Sequence, residues 1–162
     1  MQSSRPDLAA SYGVLPADQG AGLVPWPGVE TRLTAARNYW IATVGADARP
    51  HSTPIWGVWL HGSLYFGTDP NSKKAANMAA NPYVVVHLES GDDVVVLHCR
   101  MATESDTDII RTVFATYRTK YSMPDDFEFE PVLVASPDTA FAWDERGFPG
   151  SATRFVDFPR PS

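Results

Sequence analysis

The chain of 162 residues contains 44% hydrophobic and 20% charged residues, which is the composition of one ordinary globular domain. Its 19 acidic and 13 basic residues give a net charge of -6, which excludes a broadly basic nucleic-acid surface but leaves room for a local basic pocket. The single cysteine cannot form an internal disulfide, and no apolar run is long enough for a membrane span or a signal peptide, so we expect a cytoplasmic protein.

Residues 1–28 are rich in alanine, glycine, serine and proline and show neither helical nor strand periodicity. We predict that they form an N-terminal arm, followed by one folded domain at residues 29–162. The apolar run Leu23–Trp26 favours an arm that lies against the domain or against a partner subunit. The composition alone is equally typical of a flexible extension.

Three segments have the spacing of helices that bury one side. We predict a short helix at Glu30–Arg37, a second one that starts after Asn71 or Ser72 as its cap, and a long amphipathic one from Ser105-Asp106 to Tyr121.

Between and after these helices lie β-rich runs joined by residues that favour turns, including His61-Gly62 and Ser90-Gly91-Asp92-Asp93. The runs are Tyr39–Val44, Pro50–Leu60, Leu64–Thr68, Tyr83–Glu89, Val94–Ala102, Val132–Val134, Thr139–Trp143 and Ser151–Phe158. Pro54 indicates an edge strand or a bulge, because proline donates no backbone hydrogen bond. Six to seven strands connected mostly by hairpins, with about three helices, predict a mainly β fold: an antiparallel barrel with flanking helices.

Two adjacent cations, Lys73 and Lys74, lie in the first turn of the second predicted helix. This is the positive end of the helix dipole, where cations cost stability unless an anion binds there. Together with the hydroxyl of Ser72 and the free helix amides, they supply the donors that a phosphate requires. The alternative is that both lysines are solvated and that Ser72 only caps the helix.

The segment His51-Ser52-Thr53-Pro54 is predicted to face this helix start. Because Pro54 interrupts regular pairing, neighbouring backbone groups become available to the edge of a flat heterocyclic ring. Tryptophans are further candidates for stacking on such a ring, although core packing is their usual role in a small barrel. These tryptophans are Trp40, Trp56, Trp59 and Trp143.

Histidines offer a weaker signal. If Glu89 pairs with Val94, then His87 and His98 lie diagonally on one face of a hairpin, with Cα atoms about 7–8 Å apart. No His-x-His or Cys-x-x-Cys spacing is present, and we therefore predict no metal site.

Several motifs resemble those of the pyridoxamine 5'-phosphate oxidase-like, FMN-binding split β-barrel superfamily, and within it the actinobacterial oxidoreductases that depend on flavin or on the deazaflavin coenzyme F420. The resemblance covers about Glu30 to Phe158. It is carried by Tyr39–Val44, by Arg49-Pro50-His51-Ser52-Thr53-Pro54-Ile55-Trp56-Gly57, by Leu64–Thr68, by Ser72–Met78, by Phe141-Ala142-Trp143 and by Ala152–Phe155.

The resemblance implies a homodimer with two cofactor sites at its interface. It implies that the start of the short helix holds the cofactor phosphate and that the strand with the His-x-Thr-Pro element follows the ring system. Carried over, Ser72, Lys73 and Lys74 bind phosphate, His51, Ser52, Thr53, Pro54 and Trp56 line the ring, Thr68 lies between them, and Trp143 and Arg154 reach over from the partner subunit.

One departure concerns Lys73, which replaces the arginine usual in that family and loses its planar two-pronged contact. The basic C-terminal set that pyridoxamine phosphate oxidation requires is not matched by Arg154-Phe155-Val156-Asp157. The sequence therefore predicts an oxidoreductase that uses coenzyme F420 or FMN on another small conjugated substrate, without contact to nucleic acid or membrane. The alternative from another class is a non-catalytic cofactor- or haem-binding barrel, with His51, His87 or His98 as haem contacts.

Overall fold

A computed structural model of the chain describes residues 1–159. Within this range it contains nine strands: β1 Gln2–Ser4, β2 Asn38–Val44, β3 Pro50–Trp56, β4 Val58–Leu60, β5 Ser63–Phe66, β6 Tyr83–His87, β7 Asp93–Thr103, β8 Leu133–Asp144 and β9 Thr153–Val156. The α-helices of the same range are α1 Trp26–Ala35, α2 Lys73–Ala80, α3 Thr107–Tyr121 and α4 Phe148–Ser151, and a short 3-10 helix spans Ala10–Tyr12.

All strand pairs are antiparallel, and the strand order is β1-β9-β8-β7-β6-β2-β3. The hairpin β4–β5 joins through β5 to the first residues of β8, while β9 pairs with a later part of the same strand. β8 therefore runs through both parts of the sheet. The predicted mainly antiparallel β fold with flanking helices is confirmed, with more short strands and one more helix than expected.

The predicted hairpins form at the expected turns. His61 and Gly62 both have positive φ, 50° and 74°, as a two-residue turn between β4 and β5 requires. In the β6–β7 hairpin, Val85 lies opposite His98 and His87 opposite Val96, which is the register expected from pairing Glu89 with Val94.

Three element boundaries were predicted wrongly. The run Pro50–Leu60 breaks at Gly57, where a Cβ would lie 2.8 Å from Cδ1 of Leu64 and 3.1 Å from the carbonyl oxygen of Tyr65. One strand, β8, contains most of the two predicted strands Val132–Val134 and Thr139–Trp143. Its pairing with β7 shifts by one residue, because His98 lies opposite Thr139 and Cys99 lies opposite Pro137. The first helix begins at Trp26 rather than Glu30, with Pro27 in its first turn, where proline is favoured.

Two apolar cores fill the molecule. The first lies between α1 and the inner face of the sheet and includes Leu33, Tyr39, Leu97 and Phe155. The second packs α3 against β4, β5 and β8 and includes Tyr65, Val113, Phe114, Tyr117 and Tyr121. Each fully buried side chain of this size contributes about 1.5–3 kcal/mol to folding.

The N-terminal residues contact the domain at two places. β1 pairs with β9, with Ser3 opposite Phe155. The guanidinium group of Arg5 donates to the carbonyl oxygens of Gln19, Gly150 and Ala152 at 3.0, 3.0 and 2.9 Å. Across residues 1–159, no helix has both the length and the apolar character needed to cross a membrane.

Candidate functional site

An open groove lies between the end strand β3 and the segment that leads into α2. It encloses about 630 Å³, which is within the range of small-molecule sites. We call it the β3 groove, and its lining comprises Pro54, Ile55, Trp56, Gly67, Thr68, Asp69, Pro70, Lys74, Tyr117, Phe127, Phe129 and Glu130. β3 ends the strand order, so one of its edges has no strand partner among the described residues.

The start of α2 forms one side of the β3 groove. Ser72 caps the helix, because its Oγ accepts a hydrogen bond from the amide of Ala75 at 3.3 Å. The hydroxyls of Ser72 and Thr68 lie 3.2 Å apart, which connects the cap to the groove lining. Lys74 is partly buried and lines the groove, and its amide is in the first helical turn, where N–H groups have no internal acceptor.

A buried hydrogen-bonded contact joins α2 to the β-strands beside it. Nδ2 of Asn77 donates to Oγ1 of Thr43 at 2.9 Å, and Thr43 lies opposite His51 in the β2–β3 pair. The side chain of Asn77 is 5% exposed and that of Thr43 is 1% exposed. Because buried polar contacts of this kind are directional, they fix the position of the helix relative to β3.

Trp56 is the aromatic residue of the β3 groove that was predicted from the sequence. It is 43% exposed, and Tyr121 stacks on it with ring centroids 4.5 Å apart. The guanidinium carbon of Arg37 lies 5.7 Å from the centroids of both rings. Trp56 is therefore held from one side while a large part of its surface remains accessible.

Lys120 supports the same region from α3. Its Nζ donates to the carbonyl oxygen of Gly57 at 2.7 Å and to Oη of Tyr39 at 3.1 Å. It also lies 4.8 Å from the centroid of the Tyr39 ring. Burial lowers the pKa of Lys120 from 10.5 to about 8, because a low-dielectric surrounding disfavours the ammonium form.

The structure brings four of the predicted site residues into the groove lining: Pro54, Trp56, Thr68 and Lys74. Ser72 reaches it through its contact with Thr68, whereas the Lys73 side chain is exposed beside it. His51, Ser52 and Thr53 lie further along β3. His51 points to the inner face, and its Nδ1 is buried without a hydrogen-bond partner among the described residues.

Trp143 and Arg154 lie outside the groove lining of this chain. Trp143 is opposite Val94, and Arg154 is opposite Phe141, so both are on the outer face of the sheet. This outer face carries partly exposed apolar side chains from four neighbouring strands. They include Trp40, Val85, Val96, Phe141 and Trp143.

The other candidate residues lie outside the β3 groove lining and make packing contacts or hydrogen bonds within the fold. Trp59 is 5% exposed and belongs to the first core. Nδ1 of His87 lies 2.8 Å from the carbonyl oxygen of Leu88, and its ring stacks on Trp40. Burial raises the pKa of the Cys99 thiol, which keeps it protonated. Within residues 1–159, no cluster of three histidine, cysteine or acidic side chains has the geometry of a metal site.

The residues of the opposite wall of the β3 groove were not among the predicted site residues. It consists of Tyr117 from α3 together with Phe127, Phe129 and Glu130 from the loop before β8. In the sequence, Tyr117 reads as part of the apolar stripe of the helix, and the loop reads as an acidic connection. Aromatic and acidic residues alternate at Phe127–Glu130, but this pattern does not indicate which part of the fold the loop contacts.

A second cavity, of about 650 Å³, lies elsewhere, beside Arg100, Asp138 and Asp157. None of the predicted site residues lines it. The β3 groove is the better candidate because a helix start, a strand edge, a lysine and a half-exposed tryptophan meet there.

The family model described as pyridoxamine 5'-phosphate oxidase matches residues 27–144. The chain belongs to the pyridoxamine 5'-phosphate oxidase family. The matched residues include β2 through β8 and the whole lining of the β3 groove. No curated protein matches the chain significantly.

Solved structures share the fold at low sequence identity. A pyridoxamine 5'-phosphate oxidase-related, FMN-binding protein from Nostoc punctiforme is 18% identical, with a TM-score of 0.57, and the match covers 84% of this chain and 98% of that one. An F420 reductase is 21% identical, with a TM-score of 0.53, over 68% and 94% of the two chains.

A third structure, the haem storage protein HutZ from Vibrio cholerae, is 17% identical, with a TM-score of 0.57, over 72% and 92% of the two chains. Proteins with this fold therefore bind FMN, F420 or haem. Identities at this level establish the shared fold, and the cofactor of the present chain has to be argued from its own residues.

Proposed function

We propose that the protein is an oxidoreductase that binds a flavin-type cofactor, coenzyme F420 or FMN, in the β3 groove. Such a cofactor supplies hydride transfer to or from a small conjugated substrate, and the protein supplies binding and orientation. The observation that carries the proposal is the convergence on one groove of the capped start of α2, the side chain of Lys74 and the half-exposed ring of Trp56.

The residues of the groove fit a phosphorylated, planar group. Lys74 and the first amides of α2 offer a cation and N–H donors to a phosphate, and the helix carries no acidic residue in its first turn that would repel one. Lys73 is adjacent but exposed, so we assign it a weaker, solvent-screened contribution. The free edge of β3 and the face of Trp56 suit the ring system.

A homodimer is part of the proposal. The outer face of the sheet exposes apolar side chains on adjacent strands, including Trp40 and Val96, and contiguous apolar surface of this kind favours association. A second copy on this face would cover Trp143 and Arg154, which are too far along the sheet to line the groove of their own chain. We assign these two residues to the site of the partner subunit.

Ligand titration of the purified protein tests the proposed function. The visible spectrum is recorded first, and then FMN and coenzyme F420 are added separately while bound and free cofactor are measured. We expect saturable binding of one of them at one molecule per chain. Failure of both to bind would overturn the oxidoreductase proposal.

Haem carriage or storage is the second candidate, favoured by the fold shared with HutZ. His98 is exposed on the outer face, and His87 lies on the same face in the neighbouring strand. A Soret band in the purified protein, or saturable haem binding that is lost on His98→Ala, would support this candidate. Stoichiometric flavin-type binding without haem binding would reject it.

A further inference from the structure

The loop side of the β3 groove has a chemistry different from that of the α2 side. It presents Phe127 and Phe129 beside the buried Tyr117, and it ends at the exposed acidic residue Glu130. Trp56 adds a half-exposed ring from β3. Aromatic surface next to a carboxylate is a combination that favours cations, since both the ring quadrupole and the negative charge attract them.

The aromatic wall is fixed in place before any ligand binds. The Phe129 ring meets Phe114 edge-on, with centroids 5.1 Å apart, and lies 4.9 Å from the Tyr117 ring. It also packs directly against Gly67, where a Cβ would lie 2.7 Å from Cγ of Phe129. A wall held by contacts on several sides loses little conformational entropy on binding.

Among the described residues, the acidic groups around the wall are only partly balanced by ion pairs. Glu128 is directed away from the groove toward Arg118, at 3.5 Å, whereas Glu130 forms no ion pair within residues 1–159. Asp69 is a second carboxylate of the lining, with Oδ1 accepting from the amide of Asn71 at 2.8 Å. Lys74 is the cation of the lining, and the proposed function assigns it to a phosphate.

We propose that the substrate of the β3 groove is a planar aromatic cation, with its ring against Phe127 and Phe129 and its positive nitrogen toward Glu130. This inference rests on the proposed function, because it assigns the Lys74 side of the groove to the cofactor phosphate. The cofactor phosphate then lies on the Lys74 side of the groove, and the cationic substrate lies on the Glu130 side. A neutral ring gains only the aromatic contacts, and an anionic ring is repelled by the negative charge of Glu130.

Three bicyclic probes of similar size and different charge test this assignment: 1-methylquinolinium, quinoline at pH 8 and 2-naphthoate. Their binding to the full-length protein is measured by calorimetry, first as purified and then after saturation with FMN or F420. In the protein saturated with cofactor, where the phosphate occupies the Lys74 side, we expect 1-methylquinolinium to bind about 5- to 30-fold more tightly than quinoline, and 2-naphthoate to bind more weakly than either. Equal affinities for the three probes would overturn the proposal.

Two matched variants of the same loop locate the charge. Glu130→Gln should bring the affinity for 1-methylquinolinium close to that for quinoline and leave quinoline unchanged. Asp126→Asn removes an equally exposed carboxylate that does not line the groove, and it should change neither. Equal effects of the two variants would also overturn the proposal. If neither FMN nor F420 binds, that result contradicts the proposed function at Lys74, whereas the probe affinities and the Glu130 variant concern the charge of the substrate.

Discussion

Tyr121 stacks on Trp56 with the two ring planes 8° from parallel, and its hydroxyl also binds the backbone next to that tryptophan. The amide of Gly57 donates to Oη of Tyr121 at 2.9 Å, and Oη donates to the carbonyl oxygen of Arg37 at 2.7 Å. One side chain of α3 thus holds the break between β3 and β4 and the ring beside it. The position of Trp56 in the groove depends on this contact.

Tyr121→Phe should lower the free energy of unfolding by about 1–3 kcal/mol, because the buried amide of Gly57 is left without an acceptor. Urea denaturation followed by circular dichroism measures the change. Tyr83→Phe is the control, since Tyr83 is 57% exposed and its substitution should stay within about 0.5 kcal/mol. Equal effects of the two substitutions would argue against a structural role for this hydroxyl.

We expect the free energy of unfolding to depend on pH through the buried ammonium group of Lys120. Its folded pKa of about 8 lies below the unfolded value of 10.5, so between these values the unfolded chain binds more protons and stability rises with pH. The penalty is fully present below about pH 8 and is relieved toward pH 10.5. Burial raises the pKa of both contacting tyrosines, Tyr39 and Tyr121, which favours their neutral forms.

Unfolding of the wild type and of Lys120→Met at pH 7.5 and pH 9.5 tests this effect. The free energy of unfolding of the wild type should increase relative to the variant as the pH rises, because methionine retains the apolar stem without the charge. A difference between the two proteins that does not change with pH would show that the ammonium group is not penalised by burial.

Gly67→Ala should destabilise the protein by about 1–3 kcal/mol through overpacking, because the new Cβ would overlap the ring of Phe129. A double-mutant cycle with Phe129→Ala identifies the cause. In the Phe129→Ala background, the same glycine substitution should have a much smaller effect. Full additivity of the two substitutions would mean that Gly67 is required for another reason.

Lys74→Ala should weaken the binding of whichever cofactor the wild type binds by about 1–3 kcal/mol, since a charge-assisted contact to phosphate is lost. Titration with that cofactor measures the change. Arg111→Ala removes a cation from the exposed surface of α3 and should leave the affinity unchanged. If both variants bind like the wild type, the phosphate lies elsewhere.

Val96→Asp tests the proposed homodimer. Val96 is partly exposed on the outer face, between His87 and Phe141 on the neighbouring strands, and a carboxylate there would have to be desolvated on association. Sedimentation should show the mass of the wild type halved in the variant, with the far-ultraviolet circular dichroism spectrum retained. A wild type that already sediments as a monomer would refute the dimer.

Local chemistry explains which features were predictable from the sequence. The hairpin at His61-Gly62, the cap at Ser72 and the register of His87 and His98 depend on residues close to one another in the chain, and each formed as expected. The lysine at the start of α2 and the tryptophan of β3 meet in one groove for the same reason, because a single hairpin and a short connection place them there.

Features that depend on distant contacts were not predictable in the same way. The break at Gly57 results from packing against Leu64 and Tyr65, and the far wall of the groove depends on Phe129 meeting Gly67. The sequence contains no periodic signal for a loop that folds back onto a strand end. The merging of two predicted strands into β8 likewise reflects pairing with β5, β7 and β9.

The carbonyl oxygens bound by Arg5 have a practical consequence for fragments of this protein. The family match begins at residue 27, yet the Arg5 guanidinium bridges Gln19 in the preceding segment and Gly150 and Ala152 near β9. A fragment that begins at residue 27 would lack Arg5 and β1, and it would expose the carbonyl groups of Gly150 and Ala152 and the outer edge of β9. The recognisable similarity and the contacts that hold the edge of the sheet therefore begin at different residues of the chain.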